Sequence, residues 1–565
     1  MQAKDIPSMS SNSFSNSGNY TKPINSVFIL LLGLVIAFVL IVRLQFLHIP
    51  FERDEGTYCY MGQLVLDGKI PYIGFHEMKP PVLFYSYATF IFLFGKTVEA
   101  MHIAFIILNI FTIIFLYFIG KKLLSDRSAG IIAAVSYAIL SLAPSVSGFE
   151  VQAEHIVSFF LTAGLLLLLL GIEKNRLFYF FLSGIFLCLA FMVKQNGVFF
   201  MAFAGIMIVI YSIMQKPVEA KQLKERIIAY SAGVALVISF IAVVLYFQGA
   251  LKECLFWTVL YSQGYVSTFS LQHGLSSFIE TANAIVNKNI WMWLIAAAGI
   301  ILPIIFCKAL PLLTRIFAWL FALLSFLAIM PGMRFFGHYF IFFMPAVALL
   351  VAVGVVSIKS VLVKYLPKNL SMFIALGIFF GALFYNLCLQ SEYYFNHDDK
   401  RVLRMVDYMS PFPEAKVVGD YIKQHSTEKD SILVFGSEAE IYFYSDRRCP
   451  SVHCDDEFLL LKSERAPVFQ KEFEHDMEAS LPRYIIADVS HVARMEHADT
   501  LSVFYWMHNF IVKNYTIVGK TDMLSEENTQ YVWGNAANQY IMKGTSGLYV
   551  YERKERVTVE NVLPL

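Results

Sequence analysis

The sequence VFILLLGLVIAFVLIV, residues 27–42, is an uninterrupted apolar run. It is too long for the apolar part of a signal peptide, and no small-residue cleavage site follows, so it predicts a first membrane span and not a cleaved leader. A spanning helix needs about 20 mostly apolar residues. Comparable runs recur as far as Leu389, and together they predict eleven spans near residues 25–47, 99–120, 129–146, 155–172, 176–193, 197–214, 227–247, 290–307, 312–330, 336–358 and 370–389.

The composition agrees with a membrane protein that carries a soluble part. Of the 565 residues only 15% are charged, against about 25% in soluble proteins. The deficit lies in residues 25–390, which we predict to be the transmembrane domain. Residues 391–565 are typical of a soluble domain, and the Ser/Asn-rich residues 1–24 predict a disordered cytoplasmic tail. A net charge of +1 without a basic block excludes nucleic acid as a partner, and seven cysteines without a CxxC pair predict neither a disulfide framework nor a zinc site.

The stretch Pro81–Gly95 decides the predicted orientation. It is apolar but short for a span and opens with two prolines, so we interpret it as an interfacial helix in the first outer loop. With eleven spans and a cytoplasmic N-terminus, every inside loop is basic, as the positive-inside rule requires. The inside residues are Lys121, Lys122, Arg127, Lys174, Arg176, Lys216, Lys221, Lys224, Arg226, Lys308, Lys359, Lys364 and Lys368. The sequence therefore predicts a multi-pass protein of the plasma (inner) membrane with an extracytoplasmic C-terminal domain.

Acidic residues gather at helix ends on the predicted outer face. Asp54 and Glu55 follow Arg53 in the first outer loop, and Glu150 and Glu154 lie four residues apart, so on one helix they share a face. A carboxylate beside a low-dielectric membrane is a usable general base. The alternatives are structural: Asp54 as the cap of a helix that starts at Glu55, and Glu150 and Glu154 as a solvated first turn.

Cations occupy the same predicted face. Lys79, Lys194 and Arg334 are candidates for binding a phosphate at the membrane surface, the alternative for Lys194 being a side chain that extends to the interface. His338 and Tyr339 are interpreted either as packing residues or as acceptor contacts. His76 and Glu77 form an adjacent pair, which is too few ligands to predict a metal site.

Carboxylates and cations on one face predict sugar transfer from a lipid phosphate. A carboxylate would deprotonate an acceptor hydroxyl, cations would stabilise the departing phosphate, and a single displacement would invert the anomeric centre. A transporter or flippase of a lipid-linked sugar is the first alternative, although such proteins usually place charges at mid-bilayer and show internal repeats, and no clear repeat occurs here. A non-catalytic sensor is the second.

These residues resemble the GT-C glycosyltransferases, closest to the protein O-mannosyltransferase-like group with its bacterial aminoarabinose lipid A transferases. The resemblance covers residues 25–390. It rests on Arg53-Asp54-Glu55-Gly56, Lys79-Pro80-Pro81, Glu154, Lys194, and Arg334 with His338-Tyr339 and Pro345.

The resemblance implies a polyprenyl-phosphate sugar donor, an inverting hexosyl- or pentosyltransferase, and a lipid, glycan or protein acceptor. Asp54 matches the family's catalytic acidic residue, and Glu154 falls where many members have aspartate. Lys79 and Lys194 match positions that hold the donor phosphate. Some members bind a metal near a glutamate directly before the first lysine. Here Met78 stands at that position and the glutamate is Glu77, so no metal or other cofactor is predicted, although the resemblance leaves a divalent metal open.

The C-terminal part predicts a small α/β domain. Strands are predicted at Ser431–Phe435, Tyr484–Ala487, Tyr515–Val518 and Leu548–Tyr551, and helices at Glu414–His425, 466–479 and 501–512. Alternation of the two kinds of element is typical of α/β folds. Cys449 and Cys454 are close enough in sequence to bridge, but no special chemistry is predicted there.

Overall fold

The computed structural model describes residues 26–266, 270–306, 310–396, 398–408, 410–460, 463–488 and 501–555. The predicted disordered tail, residues 1–24, and the predicted inside residue Lys308 lie outside these ranges. The chain forms two compact units. Among the described residues, those within 26–47, 102–247 and 265–396 form the bundle unit, and those within 48–101, 248–264 and 398–555 form the sheet unit.

The bundle unit is built from apolar helices. Each of the eleven predicted spans coincides with a helix, which confirms a polytopic α-helical membrane protein. In the part of the chain that the structure describes, seven helices are long and apolar enough to cross a membrane: Ser26–Gln45, Val98–Leu124, Ala153–Lys174, Gln195–Met214, Ala220–Phe247, Met344–Leu362 and Lys368–Leu389. An eighth span results if Leu271–Lys288 and Ile290–Ile305, which meet at 101°, are counted as one. The total of eleven spans stays a prediction.

Three of the predicted spans are short helices, Arg127–Leu140, Leu177–Val193 and Leu312–Ala328. At 1.5 Å per residue, 14 to 17 residues reach roughly 21–26 Å, less than the ~30 Å hydrocarbon core. Residues such as proline, which cannot continue a helix, end one of these helices before its predicted limit. The predicted span 129–146 stops at Leu140, because Pro144 opens a separate 3₁₀ turn, Pro144–Val146. The predicted start at 336 also moves, because Gly337–Phe342 is a 3₁₀ helix that precedes Met344–Leu362.

Glycines let two bundle helices approach closely. A Cβ added at Gly184 would lie 2.2 Å from the Tyr230 carbonyl oxygen, and one at Gly233 would lie 2.0 Å from the Phe181 carbonyl oxygen. Leu177–Val193 and Ala220–Phe247 therefore pack backbone to backbone, as small residues allow in membrane bundles.

The sheet unit contains a five-stranded mixed sheet. Its strands are β1 (Ile432–Phe435), β2 (Tyr484–Asp488), β3 (Tyr515–Met523), β4 (Thr529–Trp533) and β5 (Ser546–Arg553), in the order β1-β2-β5-β3-β4. The β1–β2 pair is parallel, with Ile432 opposite Tyr484, and the other pairs are antiparallel. All four predicted strands and the three predicted helices, now Phe412–His425, Ala466–Ser480 and Leu501–Asn514, are confirmed. The edge strand β4 was not predicted.

The loop that the sequence predicted to be the first outer one belongs to the sheet unit. It forms the helices Arg53–Leu66 and Val82–Phe94, and the second, with 13 residues, is the predicted non-spanning element. A Cβ at Gly62 would lie 2.8 Å from the Ala88 nitrogen, so the two helices are in close contact. The sequence predicted a single boundary at residue 390. The structure instead groups residues 48–101 and 248–264 with the C-terminal domain, because aromatic and polar side chains of these segments pack against it. The remaining helices among the unit's described residues are Leu251–Leu255, Phe256–Tyr261, Asp399–Val406, Glu440–Ser445, Glu457–Leu460 and Asn535–Gln539, and the helix Ser262–Val266 has its last two residues in the bundle unit.

Candidate functional site

The helix Arg53–Leu66 starts at a capping box. The Glu52 carboxylate accepts from the Asp54 backbone N–H at 2.8 Å, and the Glu55 carboxylate accepts from the Glu52 N–H at 2.6 Å. Glutamate at the cap and at the third helical position satisfies backbone donors that the helix leaves open. The cap of this helix is therefore Glu52. The structural alternative in the sequence analysis, which made Asp54 the cap, is wrong. Glu55 is fully buried in this cap, whereas Asp54 is half-buried in the first turn.

Tyr58 lies beside both Asp54 and Lys79. Its hydroxyl is 3.4 Å from an Asp54 carboxylate oxygen, and the Lys79 ammonium nitrogen lies 5.8 Å from the centre of its ring. The spacing of four residues puts Asp54 and Tyr58 on one face of the helix. Lys79 is held by its carbonyl, which accepts from the Tyr72 hydroxyl at 2.8 Å. The predicted acid and one predicted cation are thus brought together; we call Asp54, Tyr58 and Lys79 the loop centre.

Glu77 anchors the segment that carries Lys79. Its carboxylate accepts from the Met78 N–H at 2.7 Å, from the Lys79 N–H at 3.2 Å and from the Lys79 ammonium at 3.2 Å. His76 does not pair with Glu77 but lies against His453 and Trp257, with ring centres 4.8 and 4.6 Å away. Burial, together with His453, lowers the pKa of His76 to about 3. In the described part of the chain no group of three or more His, Cys, Asp or Glu is placed to hold a metal.

Arg53 connects this helix to carboxylates of the C-terminal domain. Its guanidinium lies 3.5 Å from the Glu438 carboxylate and 5.9 Å from the centre of the Phe412 ring. Desolvation and the negative charges of Asp54 and Asp407 raise the pKa of Glu52. Burial and the negative charge of Glu438 raise the pKa of Glu440. Several carboxylates thus share one guanidinium here.

The bundle unit holds its own charged centre. Glu154, in the first turn of Ala153–Lys174, forms an ion pair with Lys194, which follows the last residue of Leu177–Val193. Both are at least 95% buried. The Lys194 ammonium nitrogen lies 4.2 Å from the centre of the Tyr339 ring and 5.7 Å from that of Phe342. A carboxylate and two aromatic faces therefore compensate the charge of a buried cation; we call Glu154, Lys194 and Tyr339 the bundle centre.

The segment around Arg334 has an unusual backbone. Met333 and Phe335, on either side of Arg334, have φ values of 51° and 46°, in the left-handed region that residues with a Cβ rarely adopt. Such strain concentrates at functional sites. His338 and Tyr339 follow in the 3₁₀ helix Gly337–Phe342, with ring centres 4.9 Å apart.

Glu150 occupies a second tight turn of the bundle unit. It is buried and accepts from the Gln152 side-chain amide at 2.9 Å, and Ser147, three residues earlier, has a φ of 54°. A Cβ added at Gly337 would lie 2.6 Å from the Ser145 carbonyl oxygen, so the turn that precedes Glu150 touches the 3₁₀ helix that carries His338. The predicted residues Glu150, Glu154, Lys194, Arg334, His338 and Tyr339 therefore all belong to the bundle unit.

Some polar residues at these centres were not predicted. Tyr58 gave no signal in the sequence, and Glu438 and Glu440 lie about 385 residues away from Arg53 along the chain. Arg43 and His155 are buried in the bundle unit. A guanidinium at the end of the apolar run 27–42 was the signal that could have identified Arg43, because ionisable residues in spans are rare.

Comparisons with known proteins agree with this architecture. Residues 78–247 match the family described as dolichyl-phosphate-mannose-protein mannosyltransferase. No curated protein matches the chain significantly. The structure is similar to that of ArnT from Cupriavidus metallidurans bound to undecaprenyl phosphate, with a TM-score of 0.56, 12% identity, and coverage of 93% of this chain and 98% of that one. It is also similar to the apo oligosaccharyltransferase of Archaeoglobus fulgidus, with a TM-score of 0.51, 12% identity, and coverage of 90% and 74%. At this identity the two structures show a shared fold.

Proposed function

We propose that the chain is a membrane glycosyltransferase of the GT-C superfamily, similar to the protein O-mannosyltransferases and ArnT, and that it moves a sugar from a polyprenyl-phosphate donor to a hydroxyl of an extracytoplasmic acceptor. The acceptor is a lipid, a glycan or a protein. The observation that carries this proposal is the loop centre, in which a half-buried carboxylate and a cation both lie beside one tyrosine.

The proposed reaction is a single displacement. Asp54 accepts the proton of the acceptor hydroxyl as its oxygen forms a bond to the anomeric carbon of the sugar. The bond from that carbon to the donor phosphate oxygen breaks, and polyprenyl phosphate leaves with the electron pair. Because attack and departure occur on opposite faces of the sugar, the anomeric configuration is inverted. A departing phosphate needs positive charge more than a proton, and Lys79 supplies such charge near Asp54.

Asp54 is a better candidate for the base than Glu55. Glu55 is fully buried and its carboxylate accepts the Glu52 N–H, so it maintains the start of the helix. Asp54 is half-buried and can be reached by a substrate hydroxyl. We therefore assign Glu55 a capping role and Asp54 the catalytic one.

Lys194 is proposed as a second phosphate-binding cation. A lysine at the end of an apolar helix, held by Glu154 and by the Tyr339 ring, offers a fixed point charge to an anionic headgroup. Arg334 on its strained segment is proposed to contribute in the same way. Glu154 is then a residue that positions Lys194 rather than a base. Glu150, His338 and Tyr339 are proposed to support these residues or to contact the acceptor.

The proposed orientation has a cytoplasmic N-terminus and an extracytoplasmic C-terminal domain in the plasma (inner) membrane. It rests on the basic inside loops. Single cysteines introduced near Lys121 and near Glu428 test it with a membrane-impermeant thiol reagent on intact cells. Labelling at Glu428 alone is expected, whereas labelling near Lys121 alone refutes the orientation.

Mass spectrometry of envelope lipids, glycans and proteins tests the function. A strain that lacks the chain should lose one sugar increment on one acceptor class. Wild-type protein should restore it, and Asp54→Asn should not, although it inserts in equal amount. Restoration by Asp54→Asn contradicts the assignment of the base.

A further inference from the structure

We propose that the C-terminal domain is a positioning element of the proposed catalytic centre. Its segment Glu438–Cys449, which follows β1, holds the helix Arg53–Leu66 so that Asp54 lies at a fixed position and orientation. This inference rests on the proposed function of Asp54, and it assigns the C-terminal domain a role other than acceptor binding. The contacts that carry it lie within the sheet unit.

The first contact is a backbone approach at Gly56, two residues after Asp54. A Cβ added at Gly56 would lie 2.3 Å from the Cβ and 2.7 Å from the Cα of Glu440. No side chain other than that of glycine fits at this distance. The first turn of the helix that carries Asp54 is therefore seated directly on the first turn of Glu440–Ser445.

The second contact is the ion pair between Arg53 and Glu438. Arg53 precedes Asp54, and Glu438 is fully buried three residues after the end of β1. Removing the guanidinium of the partly exposed Arg53 would leave the fully buried Glu438 charge without this partner, which is costly. The pair thus fixes the rotation of the helix at the residue next to Asp54.

The third contact is a set of aromatic pairs along the same helix. Tyr60 stacks on Tyr442 with ring centres 4.6 Å apart, and the Tyr60 hydroxyl accepts from the Cys449 N–H at 2.8 Å. Phe51 donates its N–H to the Tyr444 hydroxyl at 2.6 Å and lies against its ring.

Polar contacts with the segment Glu438–Cys449 continue to the far end of the helix Arg53–Leu66. The Gln63 side-chain amide donates to the Asp446 carboxylate at 2.8 Å, and Arg448 pairs with Asp67 at 2.5 Å. The contacts therefore extend from Phe51 to Asp67, and they hold the helix Arg53–Leu66 against the C-terminal domain along its whole length.

A fixed position of the helix Arg53–Leu66 matters because general-base catalysis depends on the distance between the base and the hydroxyl that it deprotonates. A displacement of about 1 Å at a catalytic group costs on the order of 100-fold in rate. A domain that fixes both ends of the helix therefore acts on the turnover number through Asp54, without touching the substrate.

Glu438→Gln is the test, because it keeps the shape and removes the charge that holds Arg53. The assay follows the release of undecaprenyl phosphate from undecaprenyl-phosphate mannose or undecaprenyl-phosphate aminoarabinose by the full chain in proteoliposomes, with envelope extract as the acceptor source. We expect kcat to fall by roughly 10- to 100-fold while the donor KM changes less than about twofold. The acid limb of the pH–rate profile should also move to lower pH, because a negative charge near Asp54 is lost.

Asp430→Asn is the matched control. It breaks the ion pair of Asp430 with Arg483, 3.2 Å apart in the same domain, which does not involve the first loop. It should lower the melting temperature while kcat per folded molecule stays at the wild-type value. Glu438→Asp, which keeps the charge, should recover part of the activity.

The results separate this inference from the proposed function. Wild-type kcat and an unshifted acid limb in Glu438→Gln overturn the positioning role, even if Asp54→Asn is inactive. An equal loss of kcat in Asp430→Asn also overturns it, since any loss of domain stability would then suffice. An active Asp54→Asn instead refutes the base itself.

Discussion

Breaking the Glu154–Lys194 pair separates phosphate binding from structural support. Lys194→Met replaces the cation by an apolar side chain of similar length and leaves Glu154 buried without its ammonium partner. Removing one member of a buried pair costs about 3–5 kcal/mol of stability. The single variant should therefore melt well below the wild type, and its loss of function alone proves nothing about the ligand.

The double variant Lys194→Met with Glu154→Gln removes both charges. Because neutral replacement of a buried pair is often close to neutral for stability, its melting temperature should return to near that of the wild type. A charge-assisted hydrogen bond to phosphate contributes about 1.5–3 kcal/mol, so donor binding should remain roughly 10- to 150-fold weaker. Stability and ligand affinity would thus respond differently to the same two substitutions.

The assay is competition binding of undecaprenyl phosphate to purified protein in lipid nanodiscs. Lys122→Met is the control, since Lys122 pairs with Glu173 on a different part of the bundle unit and is half-exposed. It should bind undecaprenyl phosphate within about twofold of the wild type, as exposed pairs contribute little. Wild-type affinity in the double variant refutes the phosphate-binding role of Lys194 and leaves the pair a purely structural one.

Three further predictions concern the sheet unit. Burial and a neighbouring carboxylate raise the pKa of Glu440, so the folded protein holds a proton that the unfolded chain releases above about pH 4.5. Stability therefore falls as the pH rises above that value, and Glu440→Gln should melt higher than the wild type at pH 8 but not at pH 4.5. Burial lowers the pKa of His76 to about 3 and that of His453 to about 4. Because the unfolded chain then binds protons that the folded protein does not, the free energy of unfolding should fall by about 1.4 kcal/mol per pH unit for each histidine as the pH drops below 6.5. A His453→Asn variant whose free energy of unfolding falls equally steeply with pH contradicts this. Arg404 makes two hydrogen bonds, of 2.9 and 3.0 Å, to the buried Glu414, so Arg404→Met should cost about 3–5 kcal/mol, and an unchanged thermal midpoint would exclude a stabilising pair.

The sequence predicted those parts of the fold that depend mainly on the burial of apolar side chains. Apolar runs located a helix for every predicted span, because burial in lipid depends on run length and hydropathy. The ends of those helices depend on local chain chemistry. Pro144 and the glycine-led turn at Gly337 shorten or shift them, and hydropathy does not report such signals. The amphipathic helix Leu271–Lys288 was not predicted, because its polar face masks it in a search for apolar spans.

The candidate site shows the same division between local and long-range information. The sequence located Glu154 and Lys194 at helix ends on one predicted face, but it did not predict that the two residues form an ion pair. The capping box of Glu52 and Glu55 was missed, although the two residues are only three positions apart, because the helix start was placed at Glu55. The contact of Gly56 with Glu440 joins segments separated by 384 positions, and a single sequence contains no signal for such pairing. Strand β4 lies at the sheet edge and is half-buried, so it lacks the apolar pattern by which the other strands were predicted.

The most direct test of the account is transfer by purified protein in proteoliposomes. The donor is undecaprenyl phosphate that carries a labelled sugar, and the readout is undecaprenyl phosphate released together with label on the acceptor. The account predicts release by the wild type, inversion of the anomeric configuration in the product, and loss of release in Asp54→Asn with insertion and donor binding intact. Release at the wild-type rate by Asp54→Asn, or a product with retained configuration, would contradict it.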